Sequence, residues 1–166
     1  MKTQKRRRKE RKTDYKNRFN ILKSELPRVV FRKTNRYIIG QLVESRDAQD
    51  KIIVSVNSKD LLKFGWVWAG SLKSVPVSYL AGILLAKKIK DKSFNTAILD
   101  IGLIRDVKKS RIYAFVKGVQ DGGISLRVNE KYYPSEERII GMHMKKDVKG
   151  KMEEIIKKIE HGRQRE

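Results

Sequence analysis

The segment PRVVFRKTNRYIIGQLV, residues 27–43, places cations between two apolar runs. Arginine has a planar fork that can grip a phosphate at two points, and lysine offers a compact point charge. Thr34 and Asn35 add short polar groups that suit hydroxyls or base edges, while Tyr37 either stacks on a base or packs across a sheet. The pattern predicts a phosphate-binding hairpin whose candidate contacts are Arg28, Arg32, Lys33, Thr34, Asn35, Arg36 and Tyr37.

The N-terminal tract, residues 1–12, is a second candidate for phosphate binding. Eight of its twelve residues are Lys or Arg, against one acid, Glu10. Such tracts repel themselves and are usually disordered when free. The whole chain carries a net charge of +21 over 166 residues, which costs compactness unless a polyanion offsets it. We interpret the tract as a nucleic-acid-binding arm, in preference to a solvated tail or a localisation signal, with these candidate contacts: Lys5, Arg6, Arg7, Arg8, Lys9, Arg11 and Lys12.

The sequence gives little indication of disulfides, of a metal site or of membrane binding. There is no cysteine, which excludes disulfides and thiolate chemistry, and the two histidines, His143 and His161, are too isolated to predict a zinc site. Asp100, Asp106 and Glu44 would be the carboxylates of a metal-dependent nuclease, but they are not paired in sequence. Neither a long apolar run nor an apolar face on the basic tract indicates membrane binding. We therefore expect no enzyme, no cofactor and no membrane partner.

The first half of the chain must position these cations. Apolar residues at helical spacing predict a helix from Tyr15 to the residue before Pro27, with Thr13 or Asp14 as N-cap. Branched and aromatic residues then predict strands at 28–32, 37–44 and 51–57. Short links, with a turn at Thr34-Asn35 and a polar loop at 45–50, predict an antiparallel three-strand meander.

The second half predicts a helix–strand–helix unit. Residues 58–73 are mixed, and Trp66 and Trp68 either pack under this loop or stack on a base or ribose. Ser74, Pro76 and the final lysines predict a helix over 75–90, in which Gly82 suits close helix–sheet packing. A buried strand follows at 95–101.

A further helix after Ser110 ends in a left-handed cap at Gly122 or Gly123. A short strand at 124–128 then completes the predicted sheet.

The C-terminal part has a different character. Ser135 can cap a helix through about Lys146, and Met152, Ile155 and Ile159 mark a final helix that leans on the domain or on a partner. We predict an α/β fold with a mixed sheet, in which the meander is followed by α-β-α and helices pack on the sheet. The predicted segments are a basic arm at 1–12, a core domain at 13–130 and a C-terminal helical extension at 131–166.

An ordered set of motifs runs through most of the chain, from about residue 13 to residue 145. In chain order it reads TDY, LKS, PRVV-x-RKTN, DLLKFGW, SYLAGILLAKK, AILDIGL-x-R, AFVKGVQDGG and YPSEERIIGMH. This set resembles the 5S-rRNA-binding large-subunit ribosomal protein family, protein eighteen of that subunit in its archaeal and eukaryotic form.

The resemblance implies a non-catalytic protein of the large ribosomal subunit in the cytoplasm. Such a protein binds 5S rRNA and helps attach it to the large-subunit rRNA in the central protuberance, beside other ribosomal proteins. The implied contacts are the arm, the first helix with Tyr15 and Arg18, and the hairpin, to which we add Lys73. A non-ribosomal RNA-binding protein, an RNA chaperone or a DNA-compacting protein is the alternative, and no homo-oligomer is expected.

Overall fold

The computed structural model describes residues 3–46, 49–66, 71–144 and 148–161. Within these ranges the strands are β1 (Arg28–Lys33), β2 (Ile38–Arg46), β3 (Gln49–Asn57), β4 (Thr96–Asp100) and β5 (Ser125–Leu126). The helices are α1 (Arg6–Lys9), α2 (Tyr15–Leu22), α3 (Val75–Lys90), α4 (Arg111–Asp121), α5 (Glu136–Ile140) and α6 (Lys149–His161), with 3-10 turns at Ser58–Phe64 and Glu130–Tyr132. The predicted α/β fold class is confirmed.

The sheet is mixed, in the order β3-β2-β1-β4-β5. The first three strands form the predicted antiparallel meander, while β4 runs parallel to β1 and β5 runs parallel to β4. The pairing of β2 with β3 continues to Arg46 opposite Gln49, so the predicted loop at 45–50 is mostly strand. The parallel pairs require crossover connections, which α3 and α4 supply.

Helices α3 and α4 cover one face of the sheet. The Phe31 and Phe115 rings lie 5.2 Å apart between centroids, and a Cβ built on Gly40 would meet the Phe115 ring at 2.6 Å. Side chains alternate along a strand, so Phe31 faces these helices while Arg28 and Arg32 face the opposite side. The buried core therefore lies between the helices and the face of the sheet that carries Phe31.

The contact made by Gly82 differs from the prediction of close helix–sheet packing. A Cβ on Gly82 would lie 2.3 Å from the Phe115 carbonyl oxygen, and one on Gly118 would lie 2.2 Å from the Tyr79 carbonyl oxygen. Both glycines thus allow the backbones of α3 and α4 to touch, which is helix–helix packing. The error arose because the sequence shows that a backbone must come close, but not which neighbour it meets.

The predicted first helix is correct at its start and too long at its end. The Asp14 carboxylate accepts hydrogen bonds from the backbone N–H groups of Lys16 and Asn17, which selects Asp14 as the N-cap. The helix ends at Leu22, and Glu25 has a φ of 56°, a left-handed value that no helix accommodates. The side chain of Phe19 is 61% exposed, so α2 does not bury the predicted apolar face.

The C-terminal helices lie against the same core. The predicted helix after Ser135 stops at Ile140, because Gly141 takes a left-handed φ of 80°, and Lys146 lies outside the described residues. Met152, Ile155 and Ile159 of α6 are buried, and the Lys87 ammonium donates to the carbonyls of Ile159 and Glu160 at the end of α6. The final helix therefore leans on the domain, the first of the two predicted alternatives.

The structure also decides the predictions made for the tryptophans and for the end of α4. Trp66 is 1% exposed within the hydrophobic core, so it packs under the loop and is not available for stacking, whereas Trp68 lies outside the described residues. Gly123, with a φ of 90°, supplies the left-handed residue after α4. None of the helices in the described ranges has the length and apolar character needed to cross a membrane.

Candidate nucleic-acid interface

The tip of the β1–β2 hairpin, residues 33–37, is a closed turn with exposed cations. The backbone N–H of Thr34 donates to the Tyr37 carbonyl at 2.9 Å, and the Thr34 hydroxyl accepts from the Tyr37 N–H at 2.9 Å. The ammonium of Lys73 donates to the Asn35 carbonyl at 2.8 Å, which ties the tip to the loop before α3. Lys33, Asn35 and Arg36 are exposed and Tyr37 is half-buried. The turn thus presents two cations and an amide on a fixed backbone.

Arg28 does not belong to this exposed surface. Its side chain is 4% exposed, and its guanidinium donates to Asp100 at 2.9 Å, to Asp50 at 2.8 Å and to the Ser45 hydroxyl at 2.9 Å. The expectation that Arg28 is presented to a phosphate disagrees with this burial. Because Asp50 on β3 and Asp100 on β4 already pair with this buried guanidinium, we leave Arg28 out of the proposed interface.

Arg18 and Arg32 extend the same set of ion pairs. Arg18 lies 2.9 Å from Asp50, and Arg32 lies 3.2 Å from Asp100 and donates to the Asp100 carbonyl at 2.9 Å. We call Arg18, Arg28, Arg32, Asp50 and Asp100 the arginine–aspartate network. The side chains of Arg18 and Arg32 remain 35% and 41% exposed, so each keeps a face toward solvent.

The carboxylates proposed for a nuclease all have other partners. Asp100 is held by Arg28 and Arg32, Asp106 accepts from the Tyr113 hydroxyl at 2.7 Å, and Glu44 pairs with Arg46 at 3.2 Å. No group of three or more potential metal ligands occurs among the described residues. Asp100 and Glu44 are thus engaged in ion pairs, and Asp106 in a hydrogen bond with a tyrosine hydroxyl.

The pKa of Asp50 shows how the network acts on its carboxylates. Burial raises the pKa of Asp50, but the Ser45 hydrogen bond and the charges of Arg28 and Arg18 outweigh burial and leave it below its usual value of 3.8. The network therefore holds Asp50 ionised.

The arm lies beside this network. A cleft of about 460 Å³, the N-terminal cleft, is lined by Arg7 and Lys12 of the arm together with Arg18, Arg32 and Asp100. Residues 6–9 form one exposed helical turn, and the Lys5 ammonium sits 4.8 Å from the centroid of the Tyr15 ring. The structure thus brings together the arm, the first helix and the end of β1, as the sequence-based site requires.

Three further cations were missed by the sequence analysis. Arg105, Arg111 and Arg138 line a second cleft of about 410 Å³ together with Lys33, and we call it the helix-terminus cleft. None of the four pairs with a carboxylate in the part of the chain that the structure describes. The available signal was a cation in the first turn of two predicted helices, since Arg111 follows Ser110 and Arg138 lies three residues after Ser135.

Exposed cations on a hairpin tip, a basic arm and two clefts with several arginines are features typical of α/β proteins that bind polyanions.

Comparison with known protein sequences identifies the family of this chain. The profile of ribosomal large subunit proteins 60S L5 and 50S L18 matches residues 1–96. The large ribosomal subunit protein uL18 of Korarchaeum cryptofilum is 46% identical over 139 residues, covering 84% of this chain and 70% of that protein. The uL18 of Methanoregula boonei is 43% identical over 139 residues, covering 84% and 79%.

The chain therefore belongs to the family of ribosomal large subunit proteins 60S L5 and 50S L18. The match extends to a more distant uL18 from Caldivirga maquilingensis, 39% identical over 140 residues, covering 84% of this chain and 67% of that protein. Membership makes the chain a structural, non-catalytic component of the large subunit in the cytoplasmic ribosome.

Proposed function

We propose that the chain binds 5S rRNA and helps attach it to the large-subunit rRNA in the central protuberance, next to other large-subunit proteins. The family resemblance supports the choice of RNA, and the exposed hairpin tip supports the mode of binding. Folded RNA is recognised mainly through shape, backbone phosphates, 2′-hydroxyls and unstacked bases. The protein supplies side chains suited to the phosphates, the 2′-hydroxyls and the bases.

The hairpin tip carries this proposal. Lys33 and Arg36 are exposed and have no carboxylate partner among the described residues, so a phosphate need not displace an ion pair to reach them. Asn35 offers its amide to a 2′-hydroxyl or a base edge. Because Thr34 and Lys73 already hold the backbone of the turn, little conformational entropy is lost when RNA binds.

The arm contributes differently. Its cations from Lys5 to Lys12 are exposed, and Glu10 is the one acid in the tract, pairing with Lys12 at 2.9 Å and Arg6 at 3.4 Å. Contacts of this kind follow the phosphate backbone without reading sequence and weaken as salt rises. Arg18 and Arg32, half-exposed on the N-terminal cleft, continue this surface toward the hairpin.

The direct test replaces Lys33 and Arg36 together by Ala. We expect the affinity for 5S rRNA to fall about tenfold or more, because two phosphate contacts are lost from a rigid turn. Arg32 is left intact, since its guanidinium also holds Asp100 and its loss would disturb the fold. Filter binding at several salt concentrations measures both the affinity and its salt dependence.

The matched control is Lys92→Ala with Arg127→Ala, which removes two exposed cations that lie away from the hairpin. This control should bind 5S rRNA like the wild type. Equal losses in both double variants would show that net charge alone matters. A wild type that binds equal-length duplex DNA as tightly as 5S rRNA would favour a non-ribosomal nucleic-acid-binding protein.

A further inference from the structure

The helix-terminus cleft has an unusual combination of lining groups. Lys33, Arg105, Arg111 and Arg138 surround it, and none of its lining residues is Asp or Glu. Asp106, next to Arg105, accepts from the Tyr113 hydroxyl, and Glu136, two residues before Arg138, pairs with Lys117 at 3.8 Å. A cleft with four cations and no carboxylate in its lining is repulsive to itself until an anion enters.

Two serine hydroxyls in this cleft lack a partner. Ser74 is 9% exposed and precedes α3, and Ser110 precedes α4. Both stand at the N-cap position with extended backbone, yet neither side chain caps its helix, and both buried hydroxyl oxygens have no hydrogen-bond partner among the described residues. A buried hydroxyl without a partner costs stability, so two lining one cleft indicate a missing ligand.

Two helices begin at the same cleft. The first-turn N–H groups of a helix have no partner within it, and with the helix dipole they favour an anion. Helices α3 and α4 have 16 and 11 residues, and the Ser78 hydroxyl donates to the Arg111 carbonyl at 2.6 Å, which fixes one N-terminus against the other. The two sets of free N–H donors are thus held on one site.

We propose that the helix-terminus cleft binds a backbone phosphate of RNA. The phosphate oxygens would accept from the Ser74 and Ser110 hydroxyls and from first-turn N–H groups, with the arginines neutralising their charge. RNA fits better than a small metabolite because the cleft is open, its cations Lys33, Arg105 and Arg138 are exposed at the surface, and Lys33 joins it to the hairpin tip. This site goes beyond the proposed contacts of the tip and arm.

The test uses ¹⁵N-labelled full-length protein and follows the backbone amides of Val77 and Ile112 by NMR. The probes are inorganic phosphate, a short single-stranded RNA, and a methylphosphonate oligomer of the same sequence, whose backbone carries no charge. We expect saturable shifts of both amides with phosphate and RNA. We expect none with the methylphosphonate or with chloride at equal ionic strength.

Two variants separate this site from general electrostatics. Arg111→Gln with Arg138→Gln should weaken RNA binding at these amides about tenfold or more, while Lys92→Gln with Arg127→Gln should leave it unchanged. Ser110→Asp places a carboxylate at the N-cap, so it should raise the melting temperature and abolish the shifts.

Three outcomes would overturn RNA phosphate binding in the helix-terminus cleft. Shifts with phosphate but not with RNA would overturn it and leave a small-anion site only. Equal weakening in both double variants, or Ser110→Asp protein that still binds RNA at these amides, would also overturn it. The readout needs no 5S rRNA, so failure of 5S rRNA binding and failure of this site are distinguishable.

Discussion

Two clefts lie on opposite sides of the end of β1, and the neighbours Arg32 and Lys33 point into different ones. The N-terminal cleft contains Asp100, so its arginines are largely used within the protein. The helix-terminus cleft has no carboxylate in its lining, and its cations remain without such partners among the described residues. An arginine therefore keeps all its donors free only where the fold brings no carboxylate within reach, whereas Arg18 and Arg32 keep only an exposed face.

The largest expected effect comes from Arg28→Met, which removes the central cation of the arginine–aspartate network. Asp100 and Asp50 would lose their most buried partner, so we expect the free energy of unfolding to drop by roughly 3 to 5 kcal/mol. Urea denaturation measures this change. Arg105→Met is the matched control in the other cleft and should stay within about 0.5 kcal/mol. Similar losses of stability in the two variants would show that arginines of both clefts stabilise the fold equally, contrary to this expectation.

The next effect concerns RNA affinity and not stability. Deleting residues 1–12 removes eight cations, of which Arg7 and Lys12 line the N-terminal cleft, while the arginine–aspartate network keeps all its ion pairs. We expect at least about tenfold weaker 5S rRNA binding and a shallower salt dependence, with urea denaturation nearly unchanged. A salt titration of binding compares the two proteins. Unaltered affinity and slope would show that the arm is a solvated tail.

The smallest effect is a pH dependence that the network imposes. The pKa of Asp50 is lower in the folded protein than its value of 3.8 in the unfolded chain, so its stabilising contribution is present above about pH 4. The contribution is lost as the pH falls through the folded pKa. The stability advantage of the wild type over Asp50→Asn should therefore shrink between pH 5 and pH 2.5 in thermal melts. A constant difference would mean that Asp50 gains nothing from its arginines.

Local signals in the sequence predicted the elements well. The bounds of α3, residues 75–90, were obtained in full because Pro76 marks the first turn and lysines crowd the last. The meander followed from its branched residues and the turn at Thr34-Asn35. The helix after Ser135 was overextended because Gly141, the same kind of signal that marked the end of α4, was not taken as its C-cap.

The site was harder to predict because its charges are matched across long distances in sequence. Arg28 and Arg36 look alike along the chain, yet Arg28 meets Asp100 at a separation of 72 residues. Only the parallel pairing of β1 with β4 makes that contact. The helix-terminus cleft was missed for the same reason, since Lys33, Arg105 and Arg138 come from three separate parts of the chain.

The pairing of Arg28 with Asp100 also bears on the order of folding. The meander of β1, β2 and β3 is local and can close early, and Asp50 then gives Arg28 one partner. The second partner arrives only with β4, after α3 has been made and docked. Until then the meander carries a cation with one of its two carboxylate partners, and the docking of β4 both buries Arg28 and provides the edge on which β5 pairs.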